Sequence, residues 1–457
     1  MTDGLGLEDA YGSTLDRIKA QGSQRSKLGT AALMWICHSE RPLGAEELCQ
    51  ALAVEIGSTN YSDDNVSSIQ TVLSCCQGFA VLDRKGSVRL IHYTLQEYLT
   101  SHRNLFQSPH STIAETCLTY LNSQQIMALS GFHLQKTQRP PFLEYSSLYW
   151  GAHMKTELTD CGKELALRLF SHYGRHISIK PLLEHTLGQY SLRSIADYCK
   201  FGGLHYASML GLVEIVRALI EIDGVDPDCV DDTGATPLMW AARNGHEVAA
   251  KLLLRREGVS LDRSDDHGQT PISQAAENGH EEIVRLLLGQ EEVNPDRPDS
   301  GWGRTPISWA AKNGHVAVVK MLLEREVDPD RPDHHGQTPI SCAAENGHGA
   351  VVSVLLQREE VNPDRPDNYG QTPLWWAAEG GHEAVVKILL EANPNKPDGR
   401  GRALISWAAV HGHDAVKMLL EQDEANLDRP SNGWGGVPFS RATKNGHVAV
   451  VGSLRRR

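Results

Sequence analysis

The sequence predicts a mainly α-helical protein, with a stack of short helix pairs in its second half and a smaller helical region with one β-hairpin before it. Three observations carry this. A Gly-His pair returns seven times at nearly constant spacing, most copies follow a Thr-Pro and an Ala-Ala, and an apolar stripe at helical periodicity comes after.

The pairs are Gly245-His246, Gly279-His280, Gly314-His315, Gly347-His348, Gly381-His382, Gly412-His413 and Gly446-His447, separated by 34, 35, 33, 34, 31 and 34 residues. Each motif element has a local reason. Thr270 is placed to cap a helix, with Pro271 at the first helical position, where a missing N–H costs nothing. Ala275 and Ala276 are small enough for close helix packing, and Gly279 suits the left-handed conformation that ends a helix. Ile283, Val284 and Leu286 to Leu288 form the apolar stripe of a second helix. Between helix pairs, Val293-Asn-Pro-Asp-Arg-Pro-Asp299 marks an extended, hairpin-like finger. One such unit cannot bury its apolar face alone, so the copies must stack.

The period, the Thr-Pro, the Ala-Ala and the Gly-His together resemble the ankyrin repeat, which implies a solenoid that binds protein partners. Gly203 to Gly211 with Ile215-Val216 and Leu219-Ile220 looks like a degenerate first repeat. The sixth departs from the pattern: Ala403-Leu404 replaces Thr-Pro and its finger is shorter, so it is expected to be the weakest link. The seventh runs into Arg455 to Arg457; a polar outer face and a truncated product both remain open.

Residues 1–200 read as helices around a small hairpin unit. Helices are expected over Asp9 to Lys19, Leu28 to His38, from Pro42 onward, and through Ile69, Val72 and Leu73 with Asp64-Asn65 as cap. Phe79 to Leu82 and Val88 to Ile91 read as strands around a Lys85-Gly86 turn, with a helix from Tyr93 to Ser101 after them. Helix–helix–helix–hairpin–helix is a winged-helix order. Trp35, Arg41-Pro42-Leu43, Glu46-Glu47-Leu48, Cys76 to Ala80 and Arg89 to Tyr98 resemble the winged-helix segment after the NACHT module of fungal STAND proteins. Ile113 to Tyr120 and Phe142 to Trp150 resemble the connector that leads from it to ankyrin repeats. The expected domains are a winged-helix-like 1–104, a helical connector 105–200 and repeats over 201–457. In that family a nucleotide switch precedes these segments, but no G-x-x-x-x-G-K-[ST] occurs in this sequence.

Composition narrows the function further. The net charge of −13 is concentrated in residues 201–457, where 26 basic and 38 acidic side chains leave a balance of −12. That disfavours phosphate-backbone or anionic-membrane binding and points to a neutral or basic protein partner. The longest apolar stretch, Leu28 to Cys37, is far short of a membrane span, and the N-terminus reads as neither signal nor transit peptide. Nine irregularly placed cysteines form no disulfide framework, so an intracellular, cytoplasmic or nuclear, location is expected.

Candidate chemistries are weak. The helix from Asn65 to Gln77 has no Lys or Arg for DNA, leaving only Arg84, Lys85 and Arg89 on the wing. The Asp-rich fingers, such as Asp328 to His335, read as turn chemistry rather than Ca²⁺ loops. The repeat histidines read as hydrogen-bonding groups at the helix–helix turn rather than Zn²⁺ ligands. His92, near Cys76 and Glu97, reads as structural, and no nucleophile motif is present. No catalytic residue, metal set or cofactor is assigned.

The expectation is a non-enzymatic adaptor that holds a protein on the concave face of the solenoid. The alternatives are a separated half of a STAND NTPase and a winged-helix DNA-binding regulator. The contact residues would be His267, Gln269 and Glu277; Trp302, Arg304 and Lys312; His334, His335, Gln337 and Glu345; and Tyr369, Gln371 and Glu379. Trp240, Trp309, Trp376 and Trp407 share one position and should pack inward, whereas Trp302 and Trp375 read as exposed anchors. Without a phosphate-cradling loop, the purified chain should show no Mg²⁺-dependent ATP binding in equilibrium dialysis; tight binding would contradict this reading.

Overall fold

A computed structural model describes residues 6–102, 104–129, 139–171, 173, 176–187 and 200–392. The chain divides into two compact units, residues 1–225 and 226–457. The expected sixth and seventh repeats, with Trp407, lie outside the described residues.

The first unit opens with α1 (Leu7–Lys19), α2 (Ser23–His38), α3 (Ala45–Ala53) and α4 (Ile69–Cys75). The entry to α3 is fixed by Glu47, whose carboxylate accepts from the Gly44 N–H at 2.7 Å and is held by Arg41 at 2.6 and 2.8 Å. Ser68 caps α4 by accepting from the Thr71 N–H, not Asp64-Asn65, which lie in a short 3-10 turn of their own. A serine with extended backbone immediately before the first helical residue can reach that orphan N–H, and residues three and four positions earlier cannot.

Strands β1 (Ala80–Leu82) and β2 (Val88–Leu90) pair antiparallel, with Ala80 opposite Leu90 and Leu82 opposite Val88. Asp83 shapes the turn by accepting from the Lys85 and Ser87 N–H groups, and Gly86 takes the left-handed conformation at φ +81°. A bridge from Gly44 to Ser87 adds the third edge expected of a wing. In α5 (Tyr93–Ser101), His92 is the N-cap: its Nδ1 accepts from the Thr94 N–H, so the structural reading of this histidine holds. Leu48, Val72, Cys75, Cys76, Phe79 and Leu95 fill the core, and burial pushes the Cys76 thiol up to about 12, leaving it inert.

Five connector helices follow: α6 (Pro109–Leu121), α7 (Gln124–Met127), α8 (Pro141–Thr156), α9 (Asp160–Phe170) and α10 (Ile179–Leu187). Helices α6 and α8 form the centre, with Trp35 edge-on to Phe142 and Tyr145 at 5.6 and 5.8 Å. The degenerate repeat is real: α11 (Gly203–Leu210) and α12 (Val213–Ile220) flank Gly211 at φ +68°. Both pack on α9, and Tyr206 stacks on Trp150 at 5.1 Å.

The second unit stacks five helix pairs among its described residues. They are α13 (Pro237–Arg243) with α14 (Glu247–Leu254), α15 (Pro271–Glu277) with α16 (Glu281–Leu288), and α17 (Pro306–Lys312) with α18 (Val316–Leu323). Next come α19 (Pro339–Glu345) with α20 (Gly349–Leu355) and α21 (Pro373–Glu379) with α22 (Glu383–Ala392). Thr236, Thr270, Thr338 and Thr372 cap the first helices through their hydroxyls, each with Pro at the first helical position. The paired alanines are fully buried where successive first helices meet.

The Gly-His pair is a junction device. Gly279, at φ +75°, closes one helix, and the ring of His315 from the next repeat lies where a Cβ would stand, 2.5 Å away. That imidazole then donates through Nε2 to the Glu277 carbonyl at 3.0 Å. His280 does the same to Arg243 and His382 to Glu345, at 3.0 and 2.9 Å. These three histidines thus each commit Nε2 to a carbonyl at the helix–helix turn, as expected.

Gly314→Ala should destabilise the protein by about 2 kcal/mol or more, since φ is +78° and the His348 ring stands 2.6 Å from the new methyl. Gly289→Ala, at an ordinary helical φ with no close neighbour beyond its own helix's carbonyls, should be neutral or stabilising by up to about 1 kcal/mol. Urea unfolding of both variants checks the contrast.

Candidate protein-interaction surface

One aspartate per repeat builds each fingertip. Asp231, Asp265, Asp299, Asp333 and Asp367 recur every 34 residues. Oδ1 of each accepts two backbone N–H groups of its own tip: Thr233 and Ala235, His267 and Gln269, Trp302 and Gly303, His335 and Gln337, Tyr369 and Gln371. Where the first helix carries a tryptophan, Oδ2 accepts its indole N–H: Trp240 to Asp231 and Trp309 to Asp299 at 2.8 Å, Trp376 to Asp367 at 3.2 Å. These carboxylates are committed to N–H donors, which is the turn chemistry the sequence suggested.

Successive tips are then joined. The Thr233, His267, Trp302 and His335 carbonyls accept from the N–H groups of Asp266, Ser300, His334 and Asn368 at 2.7–2.9 Å. The residue before the left-handed glycine of each tip is thus held on a hydrogen-bonded edge; it changes from Thr233 to His267, Trp302, His335 and Tyr369, and is exposed at His267, Trp302 and Tyr369.

A second ladder runs through the finger motif. Arg263, Arg297, Arg331 and Arg365 reach back to Asp228, Asp262, Asp296 and Asp330 of the preceding repeat at 3.0–3.2 Å. Each arginine also donates to the same aspartate's backbone carbonyl. Sequence reasoning missed this ladder, although both residue types repeat every 34 positions. Burial pushes Asp262, Asp296 and Asp330 up from the usual carboxylate range, more than the arginines bring them down. A carboxyl raised in the folded state is penalised when charged, so the penalty is present above that raised pKa and fades as pH falls through it.

The expected contact residues divide by burial. His267, Trp302, His334 and Tyr369 are exposed. Gln269, Glu277, Lys312, His335, Glu345, Gln371 and Glu379 are half-buried, with Gln269 bonded to Glu277 and Gln337 to Glu345 at 3.1 Å. Arg304 and Gln337, expected at the surface, are buried. Arg304 pairs with Asp333 at 3.1 Å, donates to Gln337 and lies over the Trp309 ring at 5.0 Å. A guanidinium facing the next finger's aspartate is drawn in by the pairing that its burial requires.

The tryptophans also separate differently. Trp240 and Trp309 are buried as expected, whereas Trp375, expected outside, is 2% exposed and Trp376 is half-buried. Trp375 occupies the position of Ser273, Ser308 and Ser341, whose small polar side chains disguise an inward-facing site. Trp302 stays outside because its finger holds one more residue than its neighbours before the left-handed glycine, Gly303. Its ring meets His335 at 5.5 Å and the Arg304 guanidinium at 5.3 Å.

The family described as ankyrin repeats (3 copies) matches residues 204–299, 290–367, 308–398 and 359–431. The family described as GPI inositol-deacylase, winged helix domain, matches residues 15–111. The chain is an ankyrin-repeat protein with an N-terminal winged-helix domain. It is 26% identical over 254 residues to azaphilone pigments biosynthesis cluster protein L of Monascus ruber, across 48% of this chain and 53% of that protein. The chain thus spans about half the length of the curated relative it matches. Among solved structures, the human ASB11 ankyrin repeat domain is similar at 25% identity and a TM-score of 0.45, covering 49% of this chain and 98% of that one. No described helix is long and apolar enough to cross a membrane.

Arg331→Met should cost about 1 kcal/mol at neutral pH, allowing for solvent screening of the half-exposed pair, because it strands the Asp296 carboxylate. Asp296→Asn, which keeps an acceptor for Arg331 and removes the charge, should cost less. Chemical denaturation across pH checks this: the Arg331→Met deficit should narrow as pH falls through the raised pKa of Asp296.

Proposed function

We propose that the chain is a non-enzymatic, intracellular interaction scaffold whose repeat unit holds a protein partner on its fingertips and first-helix ends. One observation carries the reading. Trp302 and Tyr369 keep 49% and 52% of their surface in solvent while their backbone N–H groups are tied to Asp299 and Asp367. Large aromatic rings on a pre-ordered frame lose little entropy on binding and are enriched among hot spots. His267, His334, His335, Gln269, Gln371 and the half-buried Glu277, Lys312, Glu345 and Glu379 supply the surrounding polar rim. The −12 balance of residues 201–457 favours a partner with a neutral or basic surface.

The test is the double substitution Trp302→Ala, Tyr369→Ala in the full chain, with quantitative affinity capture beside thermal melting. Partner binding should fall by about thirtyfold, the equivalent of ~2 kcal/mol, with stability unchanged within about 0.5 kcal/mol. Unchanged capture would overturn the surface, and a large loss of stability would instead assign the rings to packing. The winged-helix match favours a second reading, in which the chain is the effector half of a STAND-type NTPase. Under it, the captured partner would be a nucleotide-binding chain and capture would depend on nucleotide.

A further inference from the structure

Away from the repeats, imidazoles from three helices of the first unit converge beside the turn after α2. His38 ends α2, Glu40 lies two residues further on, His110 is in the first turn of α6, and His153 is in the last turns of α8. His153 is fully buried. Its Nδ1 stands 2.9 Å from Nδ1 of His110, and its Nε2 stands 2.9 Å from the Tyr145 hydroxyl. His38 meets the His110 ring edge-on at 5.4 Å. The ligating atoms of Glu40, His110 and His153 all lie within 4.8 Å of one another.

We propose that Glu40, His110 and His153 form a binding site for a zinc-class divalent metal, which would clamp the turn after α2 to α6 and α8. The donor set is the first argument. Two imidazole nitrogens and one carboxylate match Zn²⁺ and its first-row neighbours, whereas Ca²⁺ and Mg²⁺ call for an all-oxygen shell. Spacing is the second. Two nitrogens on one tetrahedral zinc, with bonds of ~2.0–2.1 Å, lie ~3.3 Å apart, so the His110–His153 pair need open by only about 0.4 Å.

Orientation is the third argument. The Tyr145 hydroxyl accepts from the Glu40 N–H at 3.1 Å. A His153 Nε2–H directed at the same hydroxyl leaves the Nδ1 lone pair facing His110. Metal-bound histidines are commonly oriented in this way, by a partner on the far nitrogen. Access is the fourth: His153 is buried, His110 half-buried and Glu40 exposed, so the set runs from the interior to the surface.

The test uses the full chain, stripped with a chelator and titrated with Co²⁺ and then Zn²⁺. One Co²⁺ per chain should bind with the visible ligand-field bands of a tetrahedral nitrogen–oxygen site, and Zn²⁺ should displace it and raise the melting temperature. His110→Ala and Glu40→Gln, both at the rim, should each weaken Co²⁺ binding by about tenfold or more while keeping the melting temperature of the metal-free wild type. If His110→Ala fails to fold, Glu40→Gln carries the test alone. Weak multi-site uptake indifferent to both substitutions would overturn the site. So would intense sulfur-to-metal charge-transfer bands, which would place the metal on cysteines.

Discussion

The repeat unit depends on how a single carboxylate divides its two oxygens. In Asp231, Asp299 and Asp367, one oxygen gathers the N–H groups of the fingertip and the other holds a tryptophan of the first helix that follows. The finger is thereby fixed to the helix behind it, and the tip carbonyl is set where the next finger's N–H can find it. Without that division, exposed tip residues such as Trp302 and Tyr369 would sit on a loose turn, and ordering them would fall on the partner. In Asp333 the second oxygen goes to Arg304 of the preceding finger, so the same design also works across a junction.

Much of this was legible in the sequence. Thr-Pro, Ala-Ala and Gly-His each specify a local conformation and recur in phase, so helix starts, contacts and ends could be placed without coordinates. The winged-helix order followed in the same way from short apolar runs around a Lys85-Gly86 turn. What stayed hidden is chemistry whose meaning depends on a neighbouring repeat. Arg304 and Gln337 look like surface residues until Asp333 of the next finger is placed against the arginine. Trp375 looks exposed because its counterparts are serines, and a buried serine cannot be told from an exposed one by type. The Asp–Arg ladder was visible as periodic residues, but not as pairs, because each bond spans 35 positions. Glu40, His110 and His153 have no local signature at all, since only the packing of α2, α6 and α8 brings them together.

The two units rest on different physics. The first is centred on aromatic packing, with Trp35, Phe142 and Tyr145 in mutual contact, Tyr120 against Phe142, and Trp150 stacked on Tyr206. Among its described residues the second contains few such clusters and repeats small contacts instead: buried alanines, a glycine under an imidazole, a guanidinium on a carboxylate. Damage at one point should therefore propagate through the first unit's shared core, but only to immediate neighbours in the second.

The Arg–Asp ladder has a further consequence, for how such an array changes length. Three fingers, those with Asp262 and Arg263, Asp296 and Arg297, and Asp330 and Arg331, each carry an acceptor for the copy that follows and a donor for the copy before it, in the same register. If one 34-residue unit were duplicated in tandem, the new arginine would meet an aspartate behind it and the new aspartate an arginine ahead. The newly created joint would thus be chemically complete from its first appearance, with no compensating substitution. Such an array can lengthen or shorten by whole units through unequal recombination, while point changes at the tips diversify what each copy displays.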